Sequence, residues 1–181
     1  MNFFDQREPL VKEIFHAVKK AGGRAYIVGG FVRDYLLNIQ PQKDIDIEIY
    51  GLDKKELYQL LKHYGHVDEI GKSFGVFKLK NLPQYDFALA RTEIKTGPEH
   101  QSFNVSFDKT MDFKTACKRR DLTINSILYD PIQDEYIDVY SGIKDIHDGI
   151  IRMVNPSTFS EDPLRVLRVA LFAARFKIHC F

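Results

Sequence analysis

Two aspartates separated by a single residue are the clearest candidates for a chemical centre in this sequence. Asp44 and Asp46 lie in the segment 44–50 (DIDIEIY), where acidic and apolar residues alternate. Alternate residues of a β-strand share one face, with Cα atoms roughly 6.5 Å apart. Carboxylates at this spacing can hold two divalent cations roughly 3.5–4 Å apart, as in-line phosphoryl transfer requires. The same alternation is typical of a strand with one face in water, so the pair alone leaves both interpretations open.

A third carboxylate would complete a two-metal site, and the sequence offers two candidates. Asp86 lies in the otherwise apolar segment 85–90 (YDFALA), where an unpaired charge would be costly. Glu48 is the second candidate, because it follows Asp46 in the same alternating pattern.

Two other motifs also have a plain structural interpretation. Gly29-Gly30 could let the backbone approach a phosphate, although a tight turn is the commoner explanation. In SEDPLRVLR (160–168), Asp162, Arg165 and Arg168 recur every three residues along one side of a helix. An aspartate beside an arginine supplies the acceptors and donors that read the edge of a base. Salt bridges within a solvated helix would explain the same spacing.

Periodicity and capping signals predict the elements that position these residues. Apolar residues at i, i+4 and i+8 predict a helix around residues 10–18, which Gly22-Gly23 ends. Asp53 and Glu56 are typical of a capping box that begins the next long helix. The remaining predictions are strands at 24–28, 44–50, 75–80, 85–90, 135–140 and 150–154, helices at 31–38, 112–128 and from about 160 to 181, and a mobile loop at 95–108.

Composition excludes several classes of protein. The 181 residues are 44% hydrophobic and 28% charged, with a net charge of +1, as in a globular domain and unlike a disordered chain. The run Lys114–Arg120 has four cations in seven residues, for which a solvated helix face is the commoner explanation. Cys117 and Cys180 lack disulfide or zinc spacing, and no apolar run is long enough to span a bilayer. A cytoplasmic protein without a membrane partner is expected.

Five motifs in a fixed order resemble one known family. They are GGFVRD (29–34), DIDIE (44–48), ARTE (90–93), KRRDLTINS (118–126) and EDPLRVLR (161–168). Their order resembles class II tRNA nucleotidyltransferases and bacterial poly(A) polymerases, which belong to the DNA polymerase β superfamily. The resemblance implies an α/β catalytic head at 1–155, with a small mixed sheet flanked by helices. The beginning of a helical neck would follow at 156–181.

The resemblance also implies roles for residues of the first two motifs. Gly30 and Arg33 match residues that contact phosphates. Asp44 and Asp46 match the ligands of magnesium, the expected cofactor.

Residues of the last two motifs match the nucleotide contacts of the family. Arg120 and Asp121 match the motif that holds the ribose and triphosphate. Asp162 and Arg165 match the amino-acid template that selects CTP and then ATP. Arg168 matches a further arginine that contacts the nucleotide.

The implied reaction is attack of an RNA 3′-hydroxyl on the α-phosphate of CTP or ATP, most simply to build or repair the CCA end of tRNA. Enzymes that add only A, only CC or a poly(A) tail share these motifs, so those activities stay open. A nucleotide-binding head without useful catalysis also stays open.

One residue departs from the family pattern. Related sequences commonly have an arginine where this chain has Leu171 (LRVALF), which puts some nucleotide affinity in doubt. Members of that family normally continue into helical domains that hold tRNA, and only a head with the beginning of a neck is expected here. Weak and salt-sensitive tRNA binding is therefore expected. Self-association is expected through an exposed apolar surface of the last helix, made by Val169, Leu171, Phe172 and Phe176.

Overall fold

The computed structural model describes residues 3–4, 9–40, 44–70, 75–95, 103–159, 162–176 and 179–180. The helices are α1 (Pro9–Lys20), α2 (Gly30–Leu36), α3 (Lys54–Lys62), α4 (Phe113–Cys117), α5 (Gly142–Asp148), α6 (Pro156–Phe159) and α7 (Pro163–Phe176). The strands are β1 (Arg24–Val28), β2 (Ile45–Tyr50), β3 (Val67–Ile70), β4 (Val76–Leu79), β5 (Leu82–Leu89), β6 (Arg91–Lys95), β7 (Phe103–Phe107), β8 (Leu128–Asp130), β9 (Glu135–Ile137), β10 (Ile150–Ile151) and β11 (His179–Cys180). A 3₁₀ turn covers Thr123–Asn125.

Seven strands form one mixed sheet in the order β3-β4-β5-β2-β1-β8-β9. At its centre, β2 is parallel to β5 and antiparallel to β1. Ile45, Ile47 and Ile49 of β2 are each 1% exposed and belong to a core that includes side chains of α1 and α3. Burial of these isoleucines leaves Asp44 and Asp46 exposed, as predicted. The predicted α/β fold, a mixed sheet flanked by helices, is confirmed.

Two predicted helix signals are also confirmed. The Asp53 carboxylate accepts a hydrogen bond from the Glu56 amide, and the Glu56 carboxylate accepts one from the Asp53 amide, both at 2.8 Å. This capping box begins α3. After α1, Gly22 has φ +86°, a conformation that favours glycine.

The mobile loop predicted at 95–108 is wrong for its last part. β6 and β7 pair as an antiparallel ribbon, with Arg91 opposite Phe107 and Lys95 opposite Phe103. Residues 96–102, between the two strands, lie outside the described residues. The polar composition of the segment concealed the alternation FNVSF (103–107), which is typical of a strand.

The helix predicted at 112–128 is wrong beyond Cys117. Asp112 caps α4 by accepting from the Thr115 amide at 2.8 Å. The chain then turns so that Arg119 and Arg120 reach the buried Glu48. Helical propensity cannot reveal this ion pairing, because its partner is distant in the sequence.

The last helix is shorter than predicted. α7 begins at Pro163 and ends at Phe176, and β11 pairs in parallel with β10. Ser160 and Glu161 lie outside the described residues. Phe172 is only 6% exposed, so the apolar surface predicted on this helix is partly wrong. The exposed apolar side chains of α7 are Leu164, Val166, Leu167 and Leu171.

Two short strands replace the longer ones predicted at 135–140 and 150–154. β9 ends at Ile137, because the Asp138 carboxylate accepts from the amides of Gly142 and Ile143, each at 2.8 Å, and so forms a turn. β10 covers only Ile150–Ile151. Across the described ranges, no helix combines the length and apolar character that a membrane-spanning helix needs.

Candidate active site

A cavity of about 640 Å³ lies between the β1–α2 junction, the segment after α4, and α7. It brings together most of the site residues that the sequence predicts. Its lining comprises Gly29, Gly30, Arg33, Asp46, Arg119, Arg120, Asp121, Asn125, Asp162, Leu164, Arg165, Arg168, Leu171, Phe172 and Arg175. Asp44 is the one predicted site residue that does not line it.

The Asp46 carboxylate lies at the edge of this cavity. Its strand register places Asp46 opposite Val28 of β1, immediately before Gly29, and opposite Asp86 of β5. Gly29 has φ +74°, and a Cβ placed on it would lie 3.4 Å from Asp46 Oδ2 and 3.7 Å from Arg120 Nη1. A side chain at Gly29 would therefore fill the space beside the carboxylate.

Asp46 makes no hydrogen bond or ion pair with any residue that the structure describes. Although part of the Asp46 side chain is exposed to solvent, desolvation by the surrounding protein raises its pKa, and Arg120 opposes that rise. The neighbouring Asp86, Asp44 and Glu48 raise it further. An unpartnered carboxylate among other acidic groups is a suitable ligand for a cation.

The other aspartates lie near Asp46 in the sheet. Asp44 is exposed directly before β2. Asp86 Oδ1 is 2.9 Å from Lys78 Nζ, although this contact lacks hydrogen-bond geometry. Within the described residues, no group of three or more His, Cys, Asp or Glu side chains could hold a metal ion. Magnesium is nevertheless commonly held by one or two carboxylates together with substrate phosphates, and Asp44 and Asp46 fit that arrangement.

Glu48 is not available as a third ligand, which corrects that alternative. Its side chain is 1% exposed, although the alternation predicted a solvent-facing residue. Its carboxylate accepts from Arg119 Nη2 at 2.8 Å, Arg120 Nη2 at 2.7 Å and the Tyr50 hydroxyl at 2.6 Å. Burial alone would raise its pKa, but the two arginines lower the pKa to about 2, so Glu48 is a carboxylate at neutral pH.

Arg33 joins α2 to the opposite wall of the cavity. It donates from Nε and Nη2 to Asp34 at 2.8 and 2.6 Å, and from Nη1 to Asn125 at 2.7 Å. Its guanidinium lies 4.8 Å from the Phe172 ring centroid and 5.0 Å from that of Phe176. Because Arg33 is 3% exposed, few of its N–H groups remain for the phosphate that the sequence analysis assigned to it.

Asp121 connects the segment after α4 to α7. Its carboxylate accepts from the Leu122 amide at 2.8 Å, Asn125 Nδ2 at 3.0 Å and Arg168 Nε at 2.7 Å. Burial raises its pKa, but the hydrogen bond from Asn125 and the charge of Arg168 outweigh burial and lower it. Asp121 and Arg168, both predicted to contact the nucleotide, therefore contact each other in this structure.

α7 presents the predicted base-reading pair from its first turn. The Asp162 carboxylate accepts from the Leu164 amide at 3.0 Å, at the beginning of the helix. Arg165 Nη2 donates to the Arg119 carbonyl at 2.8 Å. This contact places Arg165 beside the arginine run that begins the fourth motif.

Sequence reasoning missed several residues of the cavity. Arg175 lines it one helical turn beyond Leu171, and its Nη2 lies 3.4 Å from Asp34 Oδ2. Arg168, Phe172 and Arg175 follow at the spacing of helical turns, which places them on one side of α7. This spacing could have indicated that Arg175 lines the cavity. Arg119 and Asn125 also line the cavity, and both lie within the motif KRRDLTINS.

The charge of the lining suits a polyanion. Six arginines line the cavity against three aspartates, although the whole chain is almost neutral. A concave surface with this excess of positive charge attracts phosphate groups. The neighbouring Asp46 carboxylate would be a suitable ligand for a cation that accompanies such phosphates.

Sequence relatives point to one family. The family described as poly A polymerase head domain matches residues 25–152. The multifunctional CCA protein of Xylella fastidiosa is 42% identical over 152 residues, which cover 84% of this chain and 35% of that protein. The CCA-adding enzyme of Buchnera aphidicola subsp. Cinara cedri is 45% identical over 152 residues, or 83% of this chain and 34% of that protein. The chain thus spans about a third of the length of the curated relatives it matches.

Solved structures share this fold. The CCA-adding enzyme of Bacillus stearothermophilus in complex with CTP is 27% identical with a TM-score of 0.75, and the match covers 97% of this chain and 42% of that one. A tRNA nucleotidyltransferase complexed with a primer tRNA and an incoming ATP analog is 30% identical with a TM-score of 0.71, and the match covers 93% and 46% of the two chains. The family resemblance carried by the five motifs is confirmed. With its family match over 25–152 and relatives above 40% identity, the chain belongs to the poly A polymerase head domain family.

Proposed function

We propose that this chain is the catalytic head of a template-independent nucleotidyltransferase, which transfers CMP and AMP from CTP and ATP to the 3′ end of tRNA. The observation that carries the proposal is a single cavity that combines the unpartnered Asp46 carboxylate with six arginines. The arginines suit a nucleoside triphosphate, and the carboxylate suits the cation that accompanies it. Relatives named for CCA addition, and neighbours that hold CTP or a primer tRNA, support the choice of substrates.

Asp44 and Asp46 are proposed to hold Mg²⁺ together with phosphate oxygens of the nucleotide. When bound, Mg²⁺ would favour ionisation of the RNA 3′-hydroxyl and stabilise the charge that develops on the α-phosphate. Asp46 lies directly beside the Gly29-Gly30 backbone, so Gly30 is in position to approach the same phosphates. Arg120 adds positive charge beside Gly29.

The remaining residues are proposed to hold and select the nucleotide. Arg120 and Asp121 would contact the ribose and triphosphate, and Arg168 would make a further contact with the nucleotide, which requires the ion pair between Asp121 and Arg168 to rearrange or to share the ligand. Asp162 and Arg165 would hydrogen-bond to the base, because a carboxylate accepts from an amino group and a guanidinium donates to ring nitrogen and carbonyl groups. Cytosine and adenine both carry an amino group that such a pair can recognise.

We also propose that residues 1–155 form the head and that 156–181 begin a helical neck. The contacts of α7 with the head support this division, since they combine three arginine hydrogen bonds with an apolar cluster that is separate from the main core of the sheet. A tRNA substrate would place the activity in the cytoplasm. Weak tRNA binding and self-association through α7 remain predictions, the latter now through Leu164, Val166, Leu167 and Leu171.

An incorporation assay tests the proposal. The protein is incubated with Mg²⁺, a tRNA that lacks its 3′ CCA and each labelled nucleotide in turn. Addition of C from CTP followed by A from ATP, abolished by a chelator, is the expected result. Addition of A alone, of CC alone or of a long A tail would replace the CCA assignment by one of those activities. Failure to bind CTP or ATP by calorimetry would contradict the nucleotide site itself.

A further inference from the structure

Two carboxylates on the same face of β2 have opposite surroundings. Asp46 is exposed and has no partner among the described residues. Glu48, two residues along the strand, is buried and accepts hydrogen bonds from two arginines and a tyrosine. A buried carboxylate paired in this way is costly to assemble and is strongly destabilising to break. The paired Glu48 carboxylate beside the Asp46 carboxylate, which has no partner among the described residues, therefore needs a structural explanation.

The position of Arg120 supplies that reason. Asp46 Oδ2 and Arg120 Nη1 are both within 4 Å of the position that a Cβ on Gly29 would occupy. An arginine this close to an unpaired carboxylate is attracted to it and can form a charge-assisted hydrogen bond. Arg120 is instead held by Glu48 through Nη2 at 2.7 Å and by the Asn125 carbonyl through Nη1 at 3.2 Å.

We propose that Glu48 is a positioning residue that holds Arg120 away from Asp46 and thereby leaves the Asp46 carboxylate free to bind a divalent cation. The inference rests on the proposed function, in which Asp46 is a metal ligand. Without the charge of Glu48, Arg120 would keep only a neutral carbonyl partner and would turn to Asp46. It would then compete with the cation for the same oxygen atoms.

The test measures Mn²⁺ binding to the protein without nucleotide, by electron paramagnetic resonance or calorimetry. Glu48→Gln keeps the size of the side chain and removes its charge, and we expect it to weaken Mn²⁺ binding by about tenfold or more, the strength of one hydrogen bond between charged groups. Asp46→Ala should abolish the same binding event. This readout is independent of turnover, so it does not require an active enzyme.

A second pair of variants, in which Arg120 is already replaced, isolates the role of Arg120. If Glu48 acts only by holding Arg120, then Glu48→Gln should have no effect on Mn²⁺ affinity once Arg120→Gln is present. The comparison of Arg120→Gln with the double variant also avoids leaving Arg120 as an uncompensated buried charge, so it holds if Glu48→Gln alone does not fold. Asp145→Asn is the matched control, because it removes another buried carboxylate paired with an arginine, Arg152, outside the cavity. It should lower the melting temperature without changing Mn²⁺ affinity.

The possible failures are distinguishable. Wild-type protein without Asp46-dependent Mn²⁺ binding would overturn this inference, which requires a cation on Asp46 before the nucleotide binds, whereas nucleotide incorporation unaffected by Asp46→Ala would overturn the metal assignment of the proposed function. Asp46-dependent binding that Glu48→Gln leaves unchanged would overturn the positioning role alone. Equal weakening by Glu48→Gln with and without Arg120 would also overturn it, because Glu48 would then act by another route.

Discussion

The cavity has a strand wall, which carries Asp46 on β2, and a helix wall, formed by α7, and different forces hold them. The strand wall depends on apolar packing. Asp46 extends from β2, whose Ile45 and Ile47 are each 1% exposed in the core. β2 is hydrogen-bonded to a neighbour on both sides, β1 and β5. The position of the Asp46 carboxylate is therefore fixed by the burial of apolar side chains of β2, and salt does not screen that interaction.

The helix wall combines a smaller apolar cluster, which includes Phe172, with polar contacts made by arginines. Arg165, Arg168 and Arg175 of α7 donate to Arg119, Asp121 and Asp34 of the head, and Phe172 packs against the head as well. The side chains of Arg168 and Arg175 are 50% and 36% exposed. Their partners Asp121 and Asp34 are only 10% and 0% exposed, so these ion pairs contact water on the arginine side, where salt can screen them.

This difference teaches how the site separates two tasks. The wall that is proposed to hold the metal is fixed by extensive apolar packing, whereas the wall that is proposed to select the nucleotide adds arginine contacts, which a ligand can replace, to a smaller apolar cluster. A site that must accept first CTP and then ATP needs one fixed wall and one that can adjust.

Loss of the metal ligand should have the largest effect. Asp46→Ala is expected to lower nucleotide incorporation by about 10³-fold or more, since metal stabilisation of the transition state is worth several kcal/mol. The melting temperature should stay close to that of wild type, because the side chain is exposed. Asp44→Ala should behave in the same way. Retention of more than about a tenth of the activity by Asp46→Ala would contradict a metal-binding strand wall.

Loss of core packing behind the strand wall should have the second-largest effect. Ile47→Ala is expected to lower the free energy of unfolding by about 2–5 kcal/mol, measured by urea denaturation. Ile70→Ala is the matched control, because Ile70 belongs to the same sheet but is 48% exposed. Its effect should be within about 0.5 kcal/mol. Equal losses at both positions would mean that the strand wall is not held by burial.

Changes in the helix wall should alter selection more than stability. Asp162→Ala or Arg165→Ala is expected to reduce the preference for CTP and ATP over UTP and GTP by about tenfold or more, because sites that hydrogen-bond a substrate discriminate strongly. Relative incorporation of the four nucleotides is measured. Val166→Ala, on the exposed side of the same helix, should leave the preference unchanged. An unchanged preference in both test variants would favour a merely structural helix.

Salt should produce the smallest effect. Between about 0.1 M and about 1 M salt, amide hydrogen exchange of α7 is expected to become faster by less than about tenfold, because screening weakens its ion pairs. Exchange of the β2 amides should not change. Faster exchange in β2 and α7 together would show that the two walls do not differ in the way described.

The sequence predicted the strand wall better than the helix wall, because burial leaves a local pattern in the sequence whereas pairing between distant residues does not. Alternation in 44–50 specifies which residues are buried, so the exposure of Asp44 and Asp46 could be read directly. Glu48 broke that rule, because its counter-ions Arg119 and Arg120 lie far along the chain and leave no local signal.

Motif order predicted which side chains share the cavity but not what each one contacts. Arg33 and Asp121 line it as the motifs suggested, yet their polar atoms are largely bound to neighbouring side chains. Such partners depend on tertiary distances, which no spacing along the chain specifies. Arg175 was missed although helical spacing places it on the same side of α7 as Arg168, because its partner Asp34 is distant in the sequence.

The strand order has a consequence for how the chain folds during synthesis. β1 acquires its second neighbour, β8, from a much later segment, through Ile27 with Tyr129 and Val28 with Leu128. Until that segment leaves the ribosome, one edge of β1 has unpaired backbone groups that can pair with another chain. Contacts between such distant segments form slowly. Asp121 and Asn125 emerge just before β8, so closing this edge of the sheet and lining the cavity depend on the same late stretch of chain, and a nascent chain that stops short of it would carry Asp44 and Asp46 without a nucleotide site.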